Sequence, residues 1–479
     1  MAQWEIDQND PYVSRRAALG RVACGFGSLA LAGLCAQAEG GPRLDPLAPK
    51  APHFAPRAKR VIFLFMQGGP SQVESFDWKP DLERADGRHI DFVGVRFKSF
   101  GQRSKRKLMR PLWSFERYGT CGQPVSSLFP HIAQHVDDLC MLHGMHTEGV
   151  AHGPSTLFLH TGATNLVRPS MGSWISYGLG TENENLPAFV TIGAAESKGG
   201  PRNYGNAFLP TVHQGTTVGN ASRPATDDAI RHLKNERLST RSQARQFEFL
   251  RVLNAAQLQQ TRKDDRLEGI IESFERAYRM QTHAPEIVDL SRERASTLQL
   301  YGIGDKATDD FGRRCLMARR LAEAGVRYIQ VNYSDEKSTP RWDQHRNMPE
   351  HAVHARATDK PVAGLLTDLK QRGLLEDTLL WWGGEFGRTP YSQNTDGRDH
   401  NPRGFTIWLA GGGVKPGFAY GATDEIGHIA VDGRVHMHDL HATILHLLGL
   451  DHQQLTYRHA GRDFRLTDVY GSVAHEIIA

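Results

Sequence analysis

The sequence predicts an α/β protein: a mostly parallel central sheet sandwiched by helices. Three observations carry that expectation. Short runs are apolar without polar alternation, helical patterns lie between several of them, and the runs stop at glycine-rich or polar turns. A strand that is apolar on both faces belongs inside a covered sheet, and a parallel sheet needs helices as its crossovers.

The first run, RVIFLFMQ from Arg60, follows a Pro-rich linker over 39–58 and stops at Gly68-Gly69-Pro70. LCMLHG, AFVTIG, VRYIQVNY, TLLWWG and FTIWLAG follow as further strands. FGRRCLMARRLAEAG and KPVAGLLTDLKQRGLLED are helical in pattern, the second running to within one residue of its strand. From about 225 to 294 the texture is long, charged and helical with no strand pattern, and reads as a helical insertion on the α/β body.

A chain of 479 residues, 23% charged and 39% hydrophobic, can bury a large core, as two or three domains or one big one. A net charge of +4 over 57 basic and 53 acidic residues is dilute, and no basic cluster is interleaved with aromatics, so a nucleic-acid partner is not expected. Ser14-Arg15-Arg16 and Leu19 precede a weakly apolar run from Val22 to Ala36 and an Ala36-Gln37-Ala38 site. This reads as a twin-arginine export signal over 1–38, too short to span a bilayer, giving a periplasmic or secreted protein with no transmembrane anchor after cleavage. A lipoprotein signal at Cys35 fits less well, because large Leu34 precedes it. Cleavage leaves Cys121, Cys140 and Cys315, an odd set without paired spacing that argues against a disulfide scaffold or a cysteine zinc site.

In open α/β sheets, ligands bind beyond the carboxyl ends of the strands. The first strand releases Ser71, Glu74 and Asp77 there; the second releases His146, Glu148 and His152. VRYIQVNY is followed by Asp343 and His345, TLLWWG by Glu385 and Arg388, and then come Asp399 and His400. Carboxylates and imidazoles from separate segments at one rim suit a divalent cation: zinc or manganese with mixed ligands, calcium with more oxygens. Asp343-x-His345 is the most ligand-like pair, since residues i and i+2 of an extended segment face one way. Asp399 and His400 face apart, so one binds and the other supports it. Taken singly, each has an ordinary reading too: Ser71 as a helix cap, Arg388 as a structural ion pair, the others as solvated loop residues. The chain lacks G-x-x-x-x-G-K-[ST], G-x-G-x-x-G after a strand, H-E-x-x-H and G-x-S-x-G, which argues against nucleotide-dependent enzymes, zincin proteases and α/β-hydrolases.

FMQGGPSQVESFDWKP, HTEGVAHGPSTLFLHTG, WDQH, GGEFGRTP, GRDHNP and HMHDLHATILHLLGLDHQQLTYRHAGRDFRLTDVYG resemble the domain of unknown function 1501 family of secreted bacterial proteins, over nearly all of the chain after the signal. That family is related to the alkaline phosphatase and sulfatase superfamily, which implies an alkaline phosphatase/sulfatase-like fold with a metal centre at the strand ends. On this resemblance His152 falls where sulfatase-like chains carry their nucleophile, so the usual Ser, Thr or Cys is missing. Glu385 falls on the acid of an Asp-His metal motif, and Phe386 on its histidine. His400 falls on the following histidine ligand, and Asp343 and His345 on the pair at the other metal position. Gln67 stands at the end of the first strand, leaving Glu74 or Asp77 to serve as its acid.

The resemblance thus implies an exported metal-dependent hydrolase of phosphate or sulfate esters, on a small-molecule or polysaccharide substrate. Metal ligands come from Asp343, His345, Glu385, His400, Glu74 and Asp399; Arg388 balances anionic charge; the nucleophile is activated water, His152 or Ser71. The rival is a catalytically silent relative that binds polysaccharide or an envelope partner. The sequence leaves substrate, metal identity and oligomeric state open.

Overall fold

The computed structural model describes residues 46–93, 102–222, 239–260 and 285–479, with positions 271, 274, 275, 278 and 279 between the last two. The proposed signal over 1–38 and the first part of the linker lie outside the described residues. Within the charged segment from about 225 to 294, the described residues include a helix over Thr240–Gln260.

Eleven strands concern the site: β1 (Arg60–Met66), β2 (Leu139–His146), β3 (Phe189–Ile192), β4 (Thr216–Val218), β5 (Tyr328–Tyr333), β6 (Thr378–Gly383), β7 (Gly387–Gln393), β8 (Gly397–Asn401), β9 (Phe405–Ala410), β10 (Phe418–Tyr420) and β11 (Val435–His436). Nine of them form one sheet in the order β10-β2-β9-β6-β1-β5-β3-β4, with β11 also on β2. The central trio β6-β1-β5 is parallel, as are β5-β3, β3-β4, β10-β2 and β11-β2. Only β9 runs against its neighbours β6 and β2. β7 and β8 form a separate antiparallel hairpin inserted between β6 and β9.

The apolar runs are strands because both faces are covered. Ile62, Leu64 and Met66 of β1 pack on one side with Leu380, Trp382 and helices α3 (Asp309–Glu323) and α4 (His351–Gln371). Val61, Phe63 and Phe65 pack on the other with Leu379 and Trp381, beneath α1 (His152–Thr161), α2 (Met171–Leu179) and α5 (Met437–Leu447). Each such side chain contributes about 1.5–3 kcal/mol of burial, and period-two alternation divides β1 evenly between the two cores. The mostly parallel sheet between helices is the architecture the apolar runs imply. β1, β2, β5 and β6 all deliver their carboxyl ends to one rim.

Candidate metal centre

Four side chains converge at that rim: His152, Asp343, His345 and His400, with donor atoms all within 4.8 Å of one another. His152 is the first residue of α1, just after extended Ala151. Asp343 and His345 lie in the loop that leaves β5, and His400 lies on β8. Two strand ends and the inserted hairpin therefore build one cluster from residues up to 248 positions apart in the chain, His152 to His400.

Each imidazole has its outer nitrogen committed. His152 Nδ1–H donates to Glu385 Oε1 at 2.6 Å, and His400 Nδ1–H donates to the Val150 carbonyl at 2.7 Å. His345 Nδ1–H donates to Gln393 Oε1. The acceptors thus assign the same tautomer to all three rings and turn each Nε2 lone pair inward. His345 Nε2 and His400 Nε2 stand 2.9 Å apart and each lies 3.0 Å from Asp343 Oδ1. His152 Nε2 lies 3.1 Å from Asp343 Oδ2 and makes no hydrogen bond. Lone pairs and a carboxylate facing one another without a proton repel, and a cation at their centre removes the repulsion. Zinc bonds of about 2.0–2.2 Å place neighbouring donors about 3 to 3.5 Å apart, so this spacing fits one ion. Three imidazoles and one carboxylate suit zinc or manganese; calcium needs more oxygen than this set offers.

Glu385 is a correction to the sequence reading. It was expected as a ligand, but its carboxylate stands behind His152, accepting His152 Nδ1–H and, at 3.0 and 3.1 Å, the Gly68 N–H. A carboxylate that orients a ligating histidine is a recurrent arrangement around protein metals. The geometry depends on Gly68, whose φ is +110° and whose missing Cβ would sit 2.7 Å from the Trp342 nitrogen. No L side chain fits between β1 and the Asp343 loop there.

Arg388 is corrected too. It is fully buried, and its guanidinium donates to Asp343 Oδ1 at 2.6 Å, to the Gly68 carbonyl, to Gly69 O at 3.0 Å and to Arg398 O at 3.2 Å. It holds Asp343 and the end of β1 and is not free to meet a substrate. Glu74 is not among the converging atoms; it pairs with buried Arg398 at 2.6 Å and accepts Leu112 N–H at 2.8 Å. Asp399 stands beside the cluster, its Oδ1 accepting His400 N–H at 2.8 Å and lying 3.8 Å from His345 Nδ1. Ser71 is fully buried beneath the Gly-Gly-Pro turn; its N–H donates to His351 Nε2 at 3.1 Å and its hydroxyl caps nothing. His152, placed at the nucleophile position by the resemblance, is one of the four converging side chains that could hold a metal ion. Phe386 packs its ring 4.4 Å from His400 and 5.1 Å from His152, closing the cluster on that side.

The electrostatics follow. Burial alone raises the Asp343 carboxyl, but the Arg388 guanidinium and the three imidazoles override it and hold it well below the carboxylate range. Burial, with Arg388 nearby, pushes His400 down to about 3, so its ring is neutral. At His152 burial disfavours the charged ring, yet Asp343 and Glu385 outweigh it and raise its pKa.

Sequence reasoning missed Gln393, the Val150 carbonyl and the Gly68 N–H. Two of these are backbone groups with no sequence signal, and Gln393 sits in a hairpin whose register the residues do not announce.

Comparison with curated proteins finds no match. Among solved structures, the chain is similar to the lipoteichoic acid synthase from Listeria monocytogenes at 10% identity and a TM-score of 0.37, covering 89% of this chain and 79% of that one. It is similar to a protein in the alkaline phosphatase superfamily from Vibrio parahaemolyticus at 10% identity and a TM-score of 0.34, covering 88% and 76%. A sulfatase from Pseudoalteromonas gives 12% identity, a TM-score of 0.32 and coverage of 82% and 68%. The family model described as protein of unknown function (DUF1501) matches residues 58–478, and the chain belongs to that family.

Proposed function

We propose that the protein is a metal-dependent hydrolase of phosphate or sulfate esters that uses water as its nucleophile and acts outside the cytoplasm after export by the twin-arginine route. The observation that carries the chemistry is the three imidazoles whose Nδ1 protons are spent outward and whose Nε2 lone pairs meet one carboxylate. Ser14-Arg15-Arg16 and the run to Ala36 support export.

His152, Asp343, His345 and His400 would hold a divalent cation, which supplies Lewis acidity toward an ester oxygen and toward water. Glu385 orients His152, and Arg388 keeps Asp343 ionised and aimed. Phe386 keeps water from the back of the cluster, leaving His345, whose side chain is 24% exposed, as its open side. A side-chain nucleophile is disfavoured because Ser71 is sealed and His152 turns its Nδ1 to Glu385 and its Nε2 toward Asp343 inside the cluster.

The test is a screen of aryl phosphate mono- and diesters and aryl sulfates with zinc-, manganese- and calcium-loaded protein, with His400→Ala as control. Turnover that falls at least 100-fold in His400→Ala and after chelation supports the reading. Turnover indifferent to both sinks it. Arg388, the cation the sequence reading assigns to the substrate anion, is committed to Asp343, and this favours the catalytically silent alternative. Tight metal binding with no turnover across the panel would select that alternative.

A further inference from the structure

We infer that the ribbon over residues 103–110 is a docking surface for an acidic polysaccharide. The inference rests on the hydrolase reading, for it names the polymer whose esters would reach the neighbouring site. Among the described residues from 86 to 110, Arg88, Arg103, Lys105, Arg106, Lys107 and Arg110 are all exposed, and the only carboxylates are Asp86 and Asp91. Asp86 is spent on the Arg110 N–H. Asp91 stands opposite Lys105 in the strand register without an ion pair, and none of the six cations has an ion-pair partner among the described residues. So large an unneutralised excess in one short segment contrasts with a net charge of only +4 for the whole chain. It is a local field that attracts a polyanion.

The ribbon is bolted to the hairpin that carries the site. Ser392 Oγ–H donates to Lys107 O at 3.3 Å, Met109 N–H donates to Pro390 O at 3.0 Å, and Leu108 bridges Tyr391. From the other strand, Arg398 donates to the Met109 and Arg110 carbonyls, each at 3.0 Å. The next residue after Ser392 is Gln393, which fixes His345, and two residues after Arg398 comes His400. The basic ribbon therefore adjoins the hairpin side of the metal cluster where His345 is open.

Alternation decides which cations reach outward. Phe92 packs 4.5 Å from Tyr391, Arg106 lies 5.9 Å over the same ring, and the register pairs Phe92 with Ser104 and Ile90 with Arg106. Arg103, Lys105 and Lys107 fall on the opposite face as a row of charges about 6.5–7 Å apart. A linear polymer bearing one anion per sugar or so suits such a row. Among the described residues the ribbon offers no exposed Phe, Tyr or Trp on which nucleic-acid bases could stack, since Phe92 is buried, and this favours the polysaccharide. A membrane is less suited because Val93 is its only exposed large hydrophobic side chain among these residues.

The test uses dextran sulfate as probe, with uncharged dextran, a DNA duplex and phosphatidylglycerol vesicles beside it, at low ionic strength. Wild-type protein is compared with the triple variant Arg103→Gln, Lys105→Gln, Lys107→Gln, whose melting temperature verifies folding. The expected result is dextran sulfate binding that weakens at least 10-fold in the triple variant, with a salt slope shallower by about 2 to 3. Aryl ester turnover should stay within twofold. Undiminished binding by the triple variant overturns the inference, as does tighter wild-type binding to the duplex or the vesicles. His400→Ala separates the two readings: it abolishes turnover if the metal site is the catalyst, and it should leave dextran sulfate binding intact.

Discussion

Replacing Glu385 by Gln tests whether that carboxylate orients His152 or binds the ion itself. The wild-type group accepts two donors, His152 Nδ1–H at 2.6 Å and the Gly68 N–H at 3.0 and 3.1 Å. An amide has only one acceptor oxygen, so its NH2 must confront one of those donors. Losing one charge-assisted hydrogen bond costs about 1.5–3 kcal/mol, which is about 10- to 100-fold in an equilibrium constant. The same range is typical when the partner of a ligating histidine is removed. Chelator-competition titration with zinc and manganese measures it, with circular dichroism and a melting curve as the check on folding. A metal Kd within twofold of wild type in a folded Glu385→Gln variant refutes the orienting role. A loss above about 1,000-fold would place Glu385 among the ligands, as the sequence first suggested.

Further outcomes are expected elsewhere in the molecule. Arg398→Met leaves fully buried Glu74 without its counterion, and chemical denaturation should show a loss of about 3–5 kcal/mol; adding Glu74→Leu should restore most of it. Gly68→Ala forces a Cβ to within 2.7 Å of the Trp342 nitrogen at a φ of +110°, so metal affinity should fall at least 10-fold as the Asp343 loop is displaced. Burial depresses His160 and His428 to about 4 and His441 to about 3, all away from the four converging side chains. Unfolded, these groups take up protons near pH 6.5, so their stability contribution is intact above that pH and is lost as pH falls toward 4. Near pH 5 the slope should approach about 4 kcal/mol per pH unit, read from denaturation midpoints; a flat profile between pH 6.5 and 4.5 contradicts it.

Much of this was legible because strand ends obey a simple rule. Apolar runs located the sheet, and the segments that follow them contain Asp343, His345, His152 and His400, the four residues that converge. The roles were less legible than the places. Glu385 reads as a ligand until the Gly68 backbone turns its N–H toward it, and a φ angle is not written in a residue type. Arg388 and Glu74 look available on paper; each is consumed by a partner distant in the chain, Gly68 or Asp343 for one and Arg398 for the other. The basic ribbon is hidden in a net charge of +4, because net charge averages over the chain, whereas a field depends on where acids are missing.

The packing of Phe386 against His152 and His400 has a kinetic consequence. With an aromatic ring behind the donor atoms and the side chains of His152, Asp343 and His400 only 9%, 6% and 7% exposed, an ion held there would have its most open path past His345, 24% exposed. That ring is tethered by Gln393, and the hairpin tip at Asn394 also bonds the His345 carbonyl. If the cluster holds an ion, its exchange would require these tethers to give way, and it would persist against chelators longer than its affinity alone implies. The metal found in purified protein would then record which ion was present when the chain folded.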